Sequence, residues 1–136
     1  MNTDLVLAGV GGQGVLSIAW VLDHAAHAAG WHLKQSEVHG MAQRGGAVSA
    51  FVRLSDRPVA SDLIGTGSAA LVASVEPLEA LRYTALLQTT GAVVTDVTPM
   101  VNIDTTPMPR RCTGCCSRCR TWWRWMPPAW PRPPAR

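Results

Sequence analysis

The sequence predicts a single α/β domain with a mostly parallel, three-layer, Rossmann-like sheet, an inserted β-hairpin and a truncated C-terminal part. Three observations support this prediction. An apolar run near the start ends in a glycine cluster and is followed by helical spacing, two later apolar runs have the composition of buried strands, and a second helical stripe separates those runs. Buried strands that alternate with helices are typical of a parallel sheet covered on both faces.

The first element is an apolar run over residues 5–8, which predicts a strand buried on both faces. Beyond the glycines that stop it, apolar residues recur every three or four positions and predict a helix over residues 14–29, with Gly30 as a left-handed cap. The glycines match G-x-G-x-x-G, which allows a tight turn and close approach of backbone N–H groups to a ligand. A helix start also favours an anion, so we expect a phosphate site here, although glycine turns also occur with nothing bound. The candidate cofactor-binding residues of this turn are Gly9, Gly11, Gly12, Gln13 and Gly14.

A short polar strand is predicted over residues 31–36, and a polar segment over residues 35–46 has the composition of a binding loop. Arg44, followed by Gly45, offers a planar donor fork for phosphate or carboxylate, and His39 could donate or shuttle a proton. Glu37 lies at about the spacing at which an acid binds ribose in dinucleotide-binding domains. We expect His39 and Glu37 to be the catalytic candidates and Arg44 and Gly45 to bind the cofactor; an ordinary surface loop is the alternative.

The remaining elements are read from alternation and turn residues. Residues 47–54 alternate as a strand, and the turn at residues 55–58 leads into Val59 and Ala60, which predicts the hairpin. A loop over residues 61–68 and a buried strand over residues 69–75 follow. Glu76 and Pro77 then begin a helix that we expect to end at Gly91, before a last strand over residues 92–97.

Composition and charge divide the chain in two. Residues 1–109 contain five basic and nine acidic side chains, whereas residues 110–136 contain seven arginines and no acid. The net charge of +3 therefore reflects the tail alone. His24, His27 and His32 lack a nearby cysteine or carboxylate at a supporting spacing, so we expect solvated histidines and no metal site. There is no basic leader and no apolar run near the length of a membrane span, which predicts a cytoplasmic protein.

The tail contains all four cysteines, in the pattern Cys-x-x-Cys-Cys-x-x-Cys, which would ordinarily suggest zinc or an iron–sulfur cluster. Arginine, cysteine, tryptophan and proline crowded together are instead typical of GC-rich coding DNA read out of frame. Since Trp is encoded only by TGG, residues 122–127 reread one nucleotide earlier give a strand-like pattern followed by an acidic turn. We therefore expect a frameshift near residues 100–111, with residues 1–105 as an incomplete domain and residues 106–136 as an aberrant, disordered tail. Nucleic-acid or membrane-surface binding by the tail is the alternative, and resequencing the gene tests the frameshift.

Three stretches together carry a resemblance to a known family, namely residues 9–14 (GVGGQG), 35–46 (QSEVHGMAQRGG) and 76–83 (EPLEALRY). They resemble the gamma-type domain of 2-oxoacid:ferredoxin oxidoreductases over roughly residues 3–105, and the second stretch is similar to the beta-subunit branch specific for indolepyruvate. The resemblance implies oxidative decarboxylation of an aryl pyruvate to an aryl-acetyl-CoA. It also implies that thiamine diphosphate and the iron–sulfur clusters belong to a large partner subunit, that electrons pass to ferredoxin, and that this chain is a non-redox subunit holding no cofactor alone.

The resemblance and the residues together suggest how the site works. The glycine turn and the polar loop should lie near the carboxyl ends of neighbouring strands and form one wall of the partner's active site. N–H groups of Gly11, Gly12 and Gly14 would bind a phosphate of coenzyme A, Arg44 would add charge, and His39 or Glu37 would orient the reactive end. Two alternatives stay open: an independent module that binds NAD through the glycines and Glu37, and a truncated product without function.

Overall fold

The computed structural model describes residues 2–42, 44–98 and 100. The predicted change of character near residue 106, and the cysteine-rich tail with it, lie outside the described residues. The described elements are β1 (Asn2–Val10), α1 (Val15–Ala28), β2 (His32–His39), β3 (Ala47–Ser55), β4 (Ala69–Ser74), α2 (Pro77–Arg82), a short 3₁₀ turn (Thr84–Leu86) and β5 (Leu87–Thr95).

The strands form one five-stranded sheet in the order β2-β3-β1-β4-β5. β1 pairs in parallel with β4 and β4 in parallel with β5, whereas β3 is antiparallel to both of its neighbours. The α/β class is therefore confirmed, with a mixed sheet in which both antiparallel pairings belong to β3.

The predicted hairpin was placed wrongly. Within the described residues, Val59 and Ala60 belong to no strand; the hairpin is formed instead by β2 and β3, which pair from His32 opposite Ser55 to His39 opposite Val48. The segment after β3 is held by its carbonyl groups. Lys34 donates to the Ala60 carbonyl at 3.2 Å, and Arg53 donates to the Ser61 and Leu63 carbonyls at 3.3 and 3.0 Å. These carbonyl groups therefore accept hydrogen bonds from side chains, whereas in a returning strand they would accept from the backbone N–H groups of β3.

Alternate residues of β1 face two different layers. Leu7 packs with Val15 and Ala19 of α1, whereas Val6 packs with Tyr83 and Leu86 on the other face. This alternation buries both faces of the central strand, as the continuous apolar run predicted. The sheet is thus covered by α1 on one side and by the α2 region on the other.

The second helix is shorter than predicted. The helix begins at Pro77 as expected, and Glu76 caps it, because its side chain accepts a hydrogen bond from the Glu79 N–H at 2.7 Å. The helix ends at Arg82, however, and Gly91 lies inside β5 rather than at a helix end. Leu86 in the 3₁₀ turn and Tyr83 just before it pack against the face of the sheet opposite α1, so Leu86 of the predicted apolar stripe is buried by that turn instead of by a longer helix. In the part of the chain that the structure describes, neither helix has the length and apolar character needed to cross a membrane.

Candidate functional site

A cleft of about 370 Å³ opens where β1 and β2 end. His39 at the end of β2 pairs with Val48, which pairs in turn with Gly9 near the end of β1, so the two strand ends lie at the same edge of the sheet. We call this space the glycine cleft. It is lined by Val10, Gly11, Gly12, Gly14, Val15, Leu16, Ser17, His39, Gly40, Ala42 and Val48. The two segments singled out in the sequence therefore do line one space.

Two backbone hydrogen bonds join the glycine turn to the polar loop. The Gly11 N–H donates to the Gly46 carbonyl at 2.7 Å, and the Gly45 N–H donates to the Gly11 carbonyl at 3.2 Å. The pair fixes the loop against the turn without any side chain. It also corrects one expectation, because the Gly11 N–H is engaged by the loop rather than directed at a phosphate.

The cleft is also lined by the start of α1, which adds amide donors to those of Gly12 and Gly14. Gly14 precedes the helix with φ +83°, a left-handed conformation that favours glycine. The first intrahelical bond runs from the Ile18 N–H to the Gly14 carbonyl, so the N–H groups of residues 15–17 have no carbonyl one turn earlier in the helix. No side chain caps this end and no acid lies in its first turn. The partial positive charge of the helix start is therefore exposed to the cleft.

Two residues of the glycine turn that were predicted to bind a cofactor do not line the cleft. Gly9 is buried, and a Cβ built on it would lie 2.5 Å from Val75 Cγ2 and 2.7 Å from Val15 Cγ2. Gly9 is thus required for the close packing of the turn. The Gln13 side chain is engaged by backbone groups, since Oε1 accepts from the Val10 N–H at 2.7 Å and Nε2 donates to the Val75 carbonyl at 3.4 Å.

The polar candidates of the loop are placed differently from one another. His39 is exposed and lines the cleft. Arg44 is exposed in the segment between β2 and β3 but is not among the lining residues, and Gly45 contributes its N–H to the turn. Glu37 lies on β2 outside the lining and accepts a hydrogen bond from Gln35 Nε2 at 2.6 Å.

Sequence reasoning missed several lining residues. Val15, Leu16 and Ser17 were assigned only to the helix, and Val48 only to a strand. Their positions at the first turn of α1 and the second residue of β3 were the available signal, because residues at the ends of neighbouring elements meet at one edge of a sheet.

Glu37 is poorly placed for the role that a dinucleotide-binding site requires. Its strand is separated from β1 by β3, and Glu37 pairs with Ala50, which pairs with Leu7. Two strand spacings put β2 about 10 Å from β1. In a dinucleotide-binding domain the acid follows a strand that neighbours the first one, so this geometry does not favour the NAD alternative.

The pKa of Asp23 is influenced by burial and by the nearby carboxylate of Glu37. Burial raises the pKa of Asp23 on α1, His24 lowers that pKa and Glu37 raises it further.

The histidines predicted to be solvated, His24, His27 and His32, are all exposed. Within residues 2–42, 44–98 and 100, no three His, Cys, Asp or Glu side chains form a group that could hold a metal ion.

Curated relatives of this chain carry one name. This chain is similar to indolepyruvate oxidoreductase subunit IorB from Pyrococcus horikoshii, with 44% identity over 97 residues, which are 71% of this chain and 48% of the relative. The same subunit from Archaeoglobus fulgidus is 43% identical over 94 residues, 69% of this chain and 46% of the relative. The chain thus spans about half the length of the curated relatives it matches.

Solved structures share the fold. The gamma subunit of a keto/oxoacid ferredoxin oxidoreductase from Geobacter sulfurreducens is 25% identical with a TM-score of 0.54, over 69% of this chain and 50% of that one. A 2-oxoglutarate:ferredoxin oxidoreductase from Magnetococcus marinus, solved with 2-oxoglutarate, coenzyme A and succinyl-CoA, is 18% identical with a TM-score of 0.63. The match covers 79% of this chain and 18% of that one, and at this identity it supports the fold alone.

The family itself is established by a match over most of the sequence. Residues 4–116 fit the family described as pyruvate ferredoxin/flavodoxin oxidoreductase. This range includes both segments that form the glycine cleft. The relatives above are also named as oxidoreductase subunits. The chain belongs to the pyruvate ferredoxin/flavodoxin oxidoreductase family.

Proposed function

We propose that this chain is the non-redox subunit of a cytoplasmic indolepyruvate-type 2-oxoacid:ferredoxin oxidoreductase, and that its glycine cleft binds a phosphate of coenzyme A. The observation that carries the proposal is the convergence of the glycine turn, the loop after β2 and the first turn of α1 on one cleft. The reaction would convert an aryl pyruvate and coenzyme A to an aryl-acetyl-CoA and carbon dioxide, with the electrons passing to ferredoxin. The names of the curated relatives support indolepyruvate as the substrate.

The phosphate would be bound by backbone donors. Gly12 and Gly14 line the cleft, and the N–H groups of residues 15–17 point along the axis of α1 with no acid in that turn to compete. Gly11 contributes indirectly by holding the loop in place. Five backbone positions without side-chain charge suit close approach to a phosphate oxygen.

Arg44 and His39 would supply the charge and the orientation that backbone groups lack. Arg44 is exposed and adjacent in sequence to Gly45, whose N–H is bonded to the turn, so the backbone next to Arg44 is held against the glycine turn. A guanidinium can donate two parallel hydrogen bonds to a phosphate. His39 lines the cleft and could orient the reactive end of the ligand, whereas Glu37 lies farther along β2 and would act through that strand.

The redox chemistry would belong to a large partner subunit. There, thiamine diphosphate would act as the electron sink for decarboxylation, and iron–sulfur clusters would supply the electron path. Among the residues that the structure describes there is no cysteine, and no three His, Cys, Asp or Glu side chains form a group that could hold a metal ion. In this proposal the chain would bind and orient coenzyme A against chemistry performed by its partner.

Replacement of Arg44 by Ala in the assembled oxidoreductase tests the proposal. We expect the apparent KM for coenzyme A to rise about tenfold with kcat little changed, because a hydrogen bond to a charged group contributes about 1.5–3 kcal/mol. Arg57→Ala is the matched control, since Arg57 is also exposed but follows β3 at the opposite end of the sheet. An unchanged KM in Arg44→Ala, or an equal rise in both variants, would remove the phosphate role.

A further inference from the structure

One side chain ties the glycine turn to two strands. Gln13 Oε1 accepts a hydrogen bond from the Val10 N–H at 2.7 Å, and its Nε2 donates to the Val75 carbonyl at 3.4 Å. The Gln13 N–H also donates to the Val10 carbonyl at 3.0 Å. Val10 is the last residue of β1 and Val75 follows the last residue of β4, so Gln13 joins the carboxyl ends of two parallel neighbours.

The turn has little else to hold it. Residues 11–14 comprise three glycines and Gln13, and glycine has the greatest conformational freedom of any residue. Gly12 and Gly14 both adopt positive φ, at +100° and +83°. On one flank, Gly11 is bonded to the backbone of Gly45 and Gly46. On the other flank, Gln13 provides the side-chain contact.

The position of Gln13 separates it from ligand contact. Its three turn neighbours, Gly11, Gly12 and Gly14, line the glycine cleft, but Gln13 does not. Both ends of its amide are engaged by main-chain groups. Gln13 therefore does not face the cleft, and the structure does not place it in the cofactor-binding role that was expected from the sequence.

We propose that Gln13 is a positioning residue, which holds the N–H groups of Gly12, Gly14 and the first turn of α1 in the geometry that binds the anion. This inference rests on the proposed function, because it takes that cleft as the anion site. Without Gln13 the Val10 N–H loses its acceptor, and the turn can sample conformations in which the donors no longer converge. The anion then binds only to the fraction of molecules with the correct turn, which weakens its apparent affinity.

The test compares Gln13→Met with Gln88→Met in the assembled oxidoreductase. Met has a similar length and no amide, and Gln88 is a partly buried glutamine on β5, remote from the cleft. We expect Gln13→Met to raise the apparent KM for coenzyme A about fivefold to tenfold with kcat nearly unchanged, and Gln88→Met to leave both constants unchanged. A Tm decrease in Gln13→Met without a KM change would show a purely structural role and overturn the proposal.

Two further variants keep the outcome decisive. If Gln13→Met does not assemble, Gln13→Asn retains the amide but is one methylene too short to reach both Val10 and Val75, and the same rise in KM is expected. Arg44→Ala separates the two hypotheses. If Arg44→Ala raises KM and the Gln13 variants do not, the anion site stands and the positioning role fails. If neither substitution raises KM, the anion site itself is wrong.

Discussion

Two buried carboxylates at the start of α2 have incomplete hydrogen bonding. Glu76 is 2% exposed and uses Oε2 to accept from the Glu79 N–H, while its Oε1 has no hydrogen-bond partner in the described structure. Glu79 is 8% exposed; its Oε1 lies 3.3 Å from Arg82 Nε, and its Oε2 is also buried without a hydrogen-bond partner in that structure. Burial raises the pKa of Glu79, Arg82 lowers that pKa and Glu76 raises it.

The Glu79→Gln substitution should therefore stabilise the chain at neutral pH. A raised pKa means that the folded state holds the proton more tightly than the unfolded state, so stability falls as pH rises from the ordinary value of 4.5 through the raised pKa. A neutral amide removes this loss and still accepts from Arg82. We expect a gain of about 1 kcal/mol in the free energy of unfolding at pH 7.5 that vanishes near pH 4, measured by urea denaturation of the full chain.

The control for this prediction is Asp62→Asn, an acid-to-amide change in the loop between β3 and β4. We expect it to change the free energy of unfolding by less than about 0.5 kcal/mol at either pH. If Glu79→Gln destabilised the chain at pH 7.5, the ion pair with Arg82 would outweigh the cost of burying the charge, and the argument would be wrong.

Local chemistry at the residue scale was only partly predictable from the sequence. The start of α2 followed from Glu76 placed directly before a proline, and the structure confirms it, whereas the capping hydrogen bond of Glu76 is a finding of the structure. The tie formed by Gln13 could not be predicted, because its partner Val75 is 62 positions away and the contact depends on β4 lying beside β1. The spacing of residues in the sequence predicts contacts within one helix or strand far better than contacts between two of them.

At the element scale, α1 lies close to the strands because Gly9 has no side chain. A Cβ on Gly9 would lie 2.5 Å from Val75 Cγ2 and 2.7 Å from Val15 Cγ2, both far below normal van der Waals contact. Both neighbours are branched at Cβ, which restricts the rotamers by which they could move away. The spacing between β1, the end of β4 and the start of α1 is thus set by a glycine.

Gly9→Ala should force these three elements apart. We expect the free energy of unfolding to fall by about 1–3 kcal/mol, the usual cost of overpacking a tight interior. Gly65→Ala is the matched control, because its Cβ would lie 3.7 Å from the nearest atom, Ser68 Oγ, and its backbone is compatible with alanine. Denaturant unfolding measures both; equal stability of the two variants would show that the strands adjust without cost.

The polar strand β2 shows why pairing was harder to predict than element type. Its residues alternate only weakly between half-buried and exposed, since it is an edge strand with α1 covering part of one face. From the sequence its second half had the composition of a loop, so the hairpin was sought after β3 instead of before it. Pairing with β3 gives hydrogen-bond partners to the backbone N–H and carbonyl groups on one side of β2. Because these bonds involve no side chains, the side-chain composition of β2 does not indicate the pairing.

At the scale of the whole molecule, the order of the strands bears on the two ligand hypotheses. The insertion of β3 between β2 and β1 brings Gly45 and Gly46 onto the glycine turn, which builds the cleft, but carries Glu37 away from it. The strands and helices could be predicted from periodicity, whereas this order is a property of the assembled sheet. The same topology thus forms the cleft that we propose for coenzyme A and places Glu37 outside the lining of that cleft.

The last prediction follows from this topology and concerns the full chain. NAD at 1 mM should leave its Tm unchanged, whereas the large partner subunit should raise it, because a partner that binds only the folded state stabilises that state. An independent dinucleotide module with a Kd near 10 µM would instead gain about 2.7 kcal/mol at a hundredfold excess over Kd, which corresponds to a Tm rise of several degrees. Thermal unfolding with NAD, with the partner subunit and with neither distinguishes these outcomes. A Tm rise with NAD that Glu37→Gln abolished would place the dinucleotide at Glu37 after all and would exclude the subunit hypothesis in its present form.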